Sequence, residues 1–313
     1  MLIFRIITAG RKKADAVIKK QYFTQDKSAN RRLFMTEKNA ARRRAVLLLL
    51  CFFAAASAIS AAPQAELWPR WEAHDPDSEM SIDHLEWTAI LQRYINAEGP
   101  GSVALFDYGA VSATDRESLQ DYIEMLSEIE ISRYNRDEQF AFWVNLYNAL
   151  TVELILSNYP LDSIRDITRP WDTPIAVVEG ESVTLNDIEH RILRPIWDDP
   201  RIHYAVNCAS VGCPDLMNSA YRADALEEQL DAAARTYINS PRGADFTERN
   251  PRFSSIYDWY AVDFGDNPQS LIAHLLEYGE GDTRARLVAL QDAGRYRSIR
   301  YDYDWSLNDS GSF

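Results

Sequence analysis

Gln139-Phe140-Ala141-Phe142-Trp143-Val144-Asn145-Leu146-Tyr147-Asn148-Ala149-Leu150-Thr151-Val152-Glu153-Leu154-Ile155-Leu156 is the stretch on which the architecture turns. It is apolar almost all round a helical repeat, which predicts a helix buried on every side rather than an amphipathic surface helix. Asn145 and Asn148 fall three apart and share a face. Two amides inside a buried helix need partners, so either they bond neighbouring backbone or they line a site.

Trp87, Leu91, Tyr94 and Ile95 recur at helical spacing before that stretch. Leu119, Tyr122, Ile123 and Leu126 do so behind Thr114-Asp115-Arg116-Glu117, a capping-box pattern. Downstream, Ile175-Ala176-Val177-Val178, Gly180 and Ser182-Val183 predict a short hairpin. Thr184-Leu185-Asn186-Asp187 then caps a helix carrying Ile188 and Ile192 as far as Pro195. Residues 202–206 alternate like a strand, with Ile202, Tyr204 and Val206 on one face and His203, Ala205 and then Asn207 on the other. Asp224-Ala225-Leu226-Glu227 opens a helix that aligns Leu226, Leu230, Ala233 and Tyr237. The aromatic residues 252–264 suit strand or loop, and Leu271, Ile272 and Leu275 predict a last helix. There is no internal repeat. This order predicts an α+β fold, a single mostly helical domain with a small antiparallel sheet over 81–313, behind a linker at 63–80.

Charge is spread unevenly over the 313 residues. Residues 1–44 hold 13 Lys/Arg against 3 Asp/Glu, which leaves residues 45–313 with 20 of the 33 basic and 44 of the 47 acidic side chains. The first segment is therefore +10 and the remainder −24. Arg42-Arg43-Arg44, the apolar run 45–58 and small residues up to Ala62 read as a secretory signal peptide. The run is shorter than the ~20 residues of a spanning helix, and Ala56-Ser57-Ala58 and Ala58-Ile59-Ser60 suit cleavage after Ala58 or Ser60. Residues 1–62 are thus expected to be an N-terminal extension plus signal peptide, with Met35 as a second candidate start. An uncleaved anchor is the alternative, and Leu50 argues against a lipid anchor at Cys51. The expected location is periplasmic or secreted, with no stable membrane anchor after cleavage. No lysine follows Lys38, so no lysine base or nucleophile is available beyond it. The acidic surface repels phosphate backbones, which disfavours nucleic acid, and no phosphate-binding glycine loop or nucleotide fingerprint calls for an organic cofactor.

Both cysteines of residues 63–313 fall in His203-Tyr204-Ala205-Val206-Asn207-Cys208-Ala209-Ser210-Val211-Gly212-Cys213-Pro214. Three readings compete. One is a Cys208–Cys213 disulfide, reasonable in an oxidising compartment. Another joins both thiolates to a metal with His203 and His190, although this spacing is not a common zinc pattern. The third is a cysteine nucleophile with a histidine base. Here Cys213 is favoured, because Pro214 suits the first position of a helix whose free N–H groups would stabilise a thiolate and hold an oxyanion. Cys208 and His203 on one strand would stand ~17 Å apart on opposite faces. His203 is the preferred base because it lies in the segment itself, and His190 reads more readily as a solvated helix residue. His74, His84 and His274 lie at the domain start or on an apolar helix. Glu189, Asp187, Asn207 and Asn145 are candidates for the group that orients the base.

Taken together, the Phe140 to Leu150 run, Tyr159-Pro160 through Ser163-Ile164, Leu185-Asn186-Asp187-Ile188-Glu189-His190 with Leu193-Arg194, the cysteine segment, and Trp259-Tyr260 with Asp263-Phe264 resemble the domain-of-unknown-function 547 family over roughly residues 81–290. The resemblance implies a secreted or membrane-associated bacterial α+β domain related to papain-like cysteine peptidases. It implies Cys213 as nucleophile, His203 as base and Glu189 as orienting acid, with Cys208 the alternative nucleophile. Some plant relatives lack the cysteine corresponding to Cys213, which also leaves a binding role for the fold. The expected function is a secreted or periplasmic thiol hydrolase, a cysteine peptidase that acts on a peptide or protein through a thioester acyl-enzyme. Asn145 or backbone N–H groups near Cys213 are the expected oxyanion donors. The alternative is a non-catalytic envelope-binding domain with a Cys208–Cys213 disulfide.

Overall fold

Among the described residues two α-helices precede the buried one, and their apolar stripes define the first wall of the core. α1 (Leu85–Tyr94) buries Trp87, Ile90, Leu91 and Tyr94, and α2 (Ala113–Ser127) buries Leu119, Tyr122 and Leu126. The cap of α2 is Ser112 rather than Thr114. The Ser112 hydroxyl accepts the Asp115 N–H at 3.0 Å and donates to the Asp115 carboxylate at 2.7 Å, so the helix starts ahead of the predicted box. α3 (Arg136–Asn158) is capped by Asn135, whose side chain accepts the Glu138 N–H at 3.0 Å. It is buried without a break from Glu138 to Val152, as its all-round apolar sequence predicts. By length and composition α3 resembles a membrane span, but most of it is covered by the protein, as befits a core helix.

The structure is a computed structural model and describes residues 63–96 and 103–312. The expected signal peptide and Cys51 lie outside these residues. Residues 63–80, expected as a linker, pack on the domain: the Glu66 and Trp68 N–H groups donate to the His190 and Arg191 carbonyls, both at 2.9 Å, and the buried Trp71 meets Trp143 edge-on at 4.9 Å.

Among the described residues the strands are short and form three small sheets rather than one. β1 (Ile95–Asn96) pairs antiparallel with β2 (Leu105–Phe106), and β3 (Ala176–Val178) with β4 (Glu181–Val183), the predicted hairpin. β5 (Ala244–Asp245) runs antiparallel to β6 (Arg252–Ser254), which β7 (Arg300–Asp302) joins in parallel. After the hairpin, Thr184 and Asp187 cap each other, with Asp187 N–H to Thr184 Oγ1 at 2.9 Å and Thr184 N–H to Asp187 Oδ2 at 3.0 Å. The turn they open, Asp187–Leu193, is wound as a π-helix and continues into α4 (Arg194–Trp197). The wider winding lets the adjacent Ile188, Glu189 and His190 all point inward.

The predicted strand at 202–206 is instead the short helix α5 (Ile202–Ala205). Asp199-Pro200 starts it: the Ile202, His203 and Tyr204 N–H groups donate to the Asp199, Pro200 and Arg201 carbonyls at 2.9–3.2 Å, and the Asp199 carboxylate also accepts the Arg201 N–H at 2.8 Å. A proline with an aspartate in front of it is a helix start, and it overrides the apolar alternation. α6 (Leu226–Ile238) follows a 3-10 turn and has no side-chain cap, since Asp224 is bound to Arg222 at 2.6 Å. Residues 252–264 divide into β6, the short helix α7 (Ile256–Trp259) and a 3-10 turn (Ala261–Phe264). α8 (Pro268–Tyr278) and α9 (Gly281–Asp292) close the domain. The larger core gathers α1 to α3 with the hairpin and the π-turn, and a second core gathers α6 to α9 around Tyr204, Tyr237 and Phe253.

Candidate functional site

The cysteine turn is fastened on every side. Asn207 Nδ2 donates to the Pro214 carbonyl at 2.7 Å, and Asn207 Oδ1 accepts the Ala209 N–H at 2.8 Å. Ala209 sits at a φ of 58°, a left-handed conformation that costs an alanine about 1 kcal/mol or more. The C-terminal strand-like segment pins the turn, with Val211 N–H to Ser306 O and Gly212 N–H to Asp304 O at 2.8 Å. A Cβ on Gly212 would stand 2.8 Å from Asp304 backbone atoms, so only glycine allows that approach. Tyr237 Oη donates to the Gly212 carbonyl and Arg242 to the Cys213 carbonyl, both at 2.6 Å.

This turn brings the two sulfurs together. Cys208 Sγ and Cys213 Sγ are 2.7 Å apart, both cysteines are free, and the Cys208 backbone N–H points at Cys213 Sγ at 3.0 Å. Tyr303 Oη lies 3.1 Å and Ser210 Oγ 3.2 Å from Cys208 Sγ, and the two hydroxyls are 2.8 Å from each other. Burial pushes the Cys213 thiol up, but hydrogen bonds from Cys208, Tyr303 and Ser210 outweigh it and hold Cys213 below the usual thiol range. Cys208, hydrogen-bonded to Cys213 and buried beside its charge, is pushed well up. Of the pair, Cys213 is thereby the sulfur more readily deprotonated and Cys208 the one that holds its proton more tightly. The Cys213 environment differs from the expected one. No helix follows Pro214, and the 211–213 N–H groups are all taken by carbonyls, so neither a helix N-terminus nor free backbone donors act on the sulfur. Its donors are the Cys208 N–H and side chains.

His203 and Glu189 meet in a separate cluster. His203 Nδ1 is 3.7 Å from Glu189 Oε1, and His203 Nε2 donates to Asp263 Oδ2 at 2.6 Å. Arg194 grips the same Asp263 carboxylate with two hydrogen bonds at 2.6 and 3.1 Å. Burial pushes the Asp263 carboxyl up, but His203 and Arg194 reverse this and hold it down at about 2. Arg194 also donates to His190 Nδ1 at 3.1 Å, which makes that nitrogen an acceptor and His190 a neutral Nε2–H tautomer. His190 is buried, not solvated as expected; burial first, then the Arg194 charge, lower its basicity against the pull of Glu189. Tyr147 Oη donates to Glu189 Oε2 at 3.1 Å, and Tyr260 stacks on His203 with centroids 4.1 Å apart.

The structure thus assembles His203 with Glu189 but does not seat His203 against a sulfur. Among the described residues no hydrogen bond joins either cysteine to a histidine, and both ring nitrogens of His203 face carboxylates. The sulfurs and the cluster are linked through shared neighbours: burial first, and then the charges of both Glu189 and Cys208, raise the Tyr147 and Tyr260 hydroxyls. Nor do the cysteines and histidines form the proposed metal set. Among the described residues no group of three or more His, Cys, Asp or Glu side chains is placed to hold a metal ion.

Asn145 and Asn148 turn out to serve backbone. Asn145 donates to the Tyr221 carbonyl at 2.8 Å and accepts the Tyr221 N–H at 2.9 Å, and Asn148 does the same for the Ala205 carbonyl at 3.0 Å and the Asn207 N–H at 2.8 Å. Asn145 is fully buried in this pairing and is not free to hold an oxyanion. Asn148 has the more telling position, because it ties the core helix to both ends of the link between His203 and Cys208. Asp187 is spent on its cap and on Arg191 at 2.8 Å. Sequence reasoning missed Tyr303, Ser210 and Arg242 at the sulfurs and Asp263, Arg194, Tyr147 and Tyr260 at the histidine. Asp263 and Tyr260 lay in quoted motifs without a role, whereas Tyr303 had no local pattern to mark it.

A cleft of about 150 Å³ opens beside the turn, lined among others by Gly212, Arg242, Phe253, Tyr303 and Asp304. Fold and turn together describe an α+β domain built on one buried helix and carrying a free cysteine pair. The family described as "Protein of unknown function, DUF547" matches residues 131–238, from the turn before α3 to the end of α6, and the family resemblance is shown over that segment. No curated protein and no solved structure matches the chain.

Proposed function

We propose that the protein is a thiol hydrolase, a cysteine peptidase or related acyl hydrolase, with Cys213 as its nucleophile. The observation that carries this reading is the split within the cysteine pair. One sulfur collects an N–H and a thiol donor and is favoured as thiolate, and the other keeps the proton 2.7 Å away. Two neighbouring groups whose proton affinities are driven apart are a nucleophile and an acid. Cys213 attacks the acyl carbon, the C–N or C–O bond of the tetrahedral intermediate breaks, and Cys208 hands its proton to the leaving group. Cys208, now a thiolate, takes a proton from the water that hydrolyses the thioester. The Tyr303 and Ser210 hydroxyls are the donors nearest an oxyanion formed there. In this scheme Cys208 takes the acid–base role expected of His203. The Glu189–His203–Asp263 cluster then positions Tyr147 and Tyr260 behind the site.

Substrate enters as a peptide or other acyl compound along the cleft beside Gly212 and Tyr303. The Arg42-Arg43-Arg44 stretch and the apolar run 45–58 support a periplasmic or secreted working protein. The test is turnover of a panel of fluorogenic peptide amides and esters by the full chain. Cys213→Ala should abolish it with the fold intact, and Cys208→Ser should slow it by about 10²–10⁴-fold, the usual worth of a positioned acid. Turnover that persists in Cys213→Ala removes the assignment. The 2.7 Å sulfur contact also favours a second reading, a binding domain stapled by a Cys208–Cys213 disulfide. That reading requires both sulfurs to resist alkylation before reduction.

A further inference from the structure

The second sulfur raises a question that acyl transfer leaves open: why two free thiols are held in contact beside two hydroxyls. We infer that Cys208 and Cys213 are an exchange-active dithiol that trades electrons with external disulfides and cycles through an intramolecular Cys208–Cys213 bridge. This activity stands on the sulfur pair alone and does not rest on the hydrolase reading.

Contact comes first: the sulfurs are already 2.7 Å apart in a turn whose carbonyls and N–H groups are held by Asn207, Tyr237, Arg242, Asp304 and Ser306, so the frame that brings them together is rigid. Access is the next observation. Cys213 is 4% exposed and Cys208 half-buried, so Cys208 is the more accessible residue of the two. The third is the Tyr303 and Ser210 hydroxyls at 3.1 and 3.2 Å from Cys208 Sγ. A permanent disulfide has no charge there for them to stabilise, but a Cys208 thiolate that forms and is consumed in each cycle does.

The chemistry balances with a low-molecular-weight disulfide, R–S–S–R, as co-reactant. The Cys208 proton moves across to Cys213, and the Cys208 thiolate attacks one sulfur of R–S–S–R. The R–S–S–R bond breaks, a Cys208–S–S–R mixed disulfide forms, and the departing RS⁻ takes the proton from Cys213. The Cys213 thiolate then attacks Cys208 Sγ, closing the bridge and expelling the second RS⁻, which solvent protonates. The cysteine pair loses two electrons and R–S–S–R gains them, yielding two thiols per bridge; an external thiol reverses each step.

The experiment uses the reduced full chain in a Cys51→Ser background, mixed under native conditions with a chromogenic aryl disulfide, with the products mapped by peptide mass spectrometry. The expected result is two equivalents of aryl thiol per chain and a Cys208–Cys213 bridge that reduced glutathione reopens. Cys213→Ser should stop at one equivalent, with a stable aryl adduct on Cys208. Stable adducts on both cysteines without a bridge, release only after unfolding, or a bridge that millimolar reduced glutathione leaves closed in the native chain would each overturn the inference. If Cys213→Ser fails to fold, the equivalents and the mapped bridge of the parent chain decide. Exchange in a chain that hydrolyses no acyl substrate removes only the hydrolase reading. Hydrolysis without a bridge removes only this one.

Discussion

The cysteine turn and the histidine cluster lie within electrostatic reach of the same two tyrosines, yet they treat charge in opposite ways. Around His203 each charge has a fixed counter-charge: Asp263 is held by His203 and Arg194, Glu189 faces His203, and Arg194 bonds Asp263 and His190. Among the described residues the groups hydrogen-bonded to the sulfurs themselves are neutral donors, namely an N–H, a thiol and two hydroxyls, while Arg242 bonds the Cys213 carbonyl rather than its sulfur. A closed ion network holds structure, because breaking it strands a buried charge. A sulfur surrounded by neutral donors is stabilised as thiolate without being neutralised, and remains available to react. The residue types alone would have suggested the reverse, with histidine as the catalytic partner.

The comparison breaks most visibly at Arg194, whose side chain is 3% exposed. Arg194→Met leaves Asp263 without its bidentate partner and should cost about 3–5 kcal/mol of unfolding free energy. Denaturant titration checks this, and a loss below about 1 kcal/mol would show that the cluster is not a closed network. Next comes Asn148, which links the core helix to the start and end of the connection between the two regions. Asn148→Ala orphans the Ala205 carbonyl and the Asn207 N–H, each at about 1–3 kcal/mol, so a loss of at least about 2 kcal/mol is expected. If instead the variant keeps its stability while Cys213 alkylation slows, the amide belongs to the site rather than to the scaffold.

Acid sharpens the contrast from another side. Among the described residues the hydrogen-bond partners of His84 and His274 are tyrosine hydroxyls, Tyr122 at 2.7 Å and Tyr204 at 2.9 Å, and burial lowers each from 6.5 to about 4 against the opposing pull of a nearby aspartate. Between those values the unfolded chain binds more protons than the folded one, so stability should fall as pH drops from ~6.5 toward ~4. Asp263 adds a second, lower window. Its carboxyl is depressed to about 2, so its contribution is complete above the ordinary value of 3.8 and is lost as pH falls toward 2. Thermal melts across pH measure both, and His84→Leu should flatten the upper window while leaving the lower one. An unchanged slope above pH ~4 in that variant would refute the assignment to His84. The smallest effect is expected at Tyr303. Tyr303→Phe removes one hydroxyl from the sulfurs and should move the pH midpoint of Cys213 alkylation upward, at nearly unchanged stability. No movement would mean that the Cys208 N–H and thiol alone set the thiolate.

Local sequence was enough wherever a pattern is written within one element. The unbroken apolar character of α3, the hairpin around Gly180, the Thr184–Asp187 cap and the stripe of α6 were all legible, because burial on a helix or strand face repeats at a fixed spacing. The segment 202–206 was misread because five alternating residues fit a strand as well as a short helix, and Asp199-Pro200 in front of them decides. The clustering of two cysteines in one short segment was equally legible, and Glu189 was one of four candidate partners for His203.

Tertiary structure alone decided what those residues face. Asp263 reaches His203 across 60 residues and Tyr303 reaches Cys208 across 95, and no local period encodes either meeting. The cysteine turn itself takes its shape from Ser306, Asp304, Tyr237 and Arg242, all distant in the chain. The sequence by itself determined which side chains leave water, since that follows from their own transfer free energy and spacing. Which proton each buried polar group holds was decided only by the fold, because in a low-dielectric interior the nearest donor or charge sets the balance, and those neighbours come from other parts of the chain.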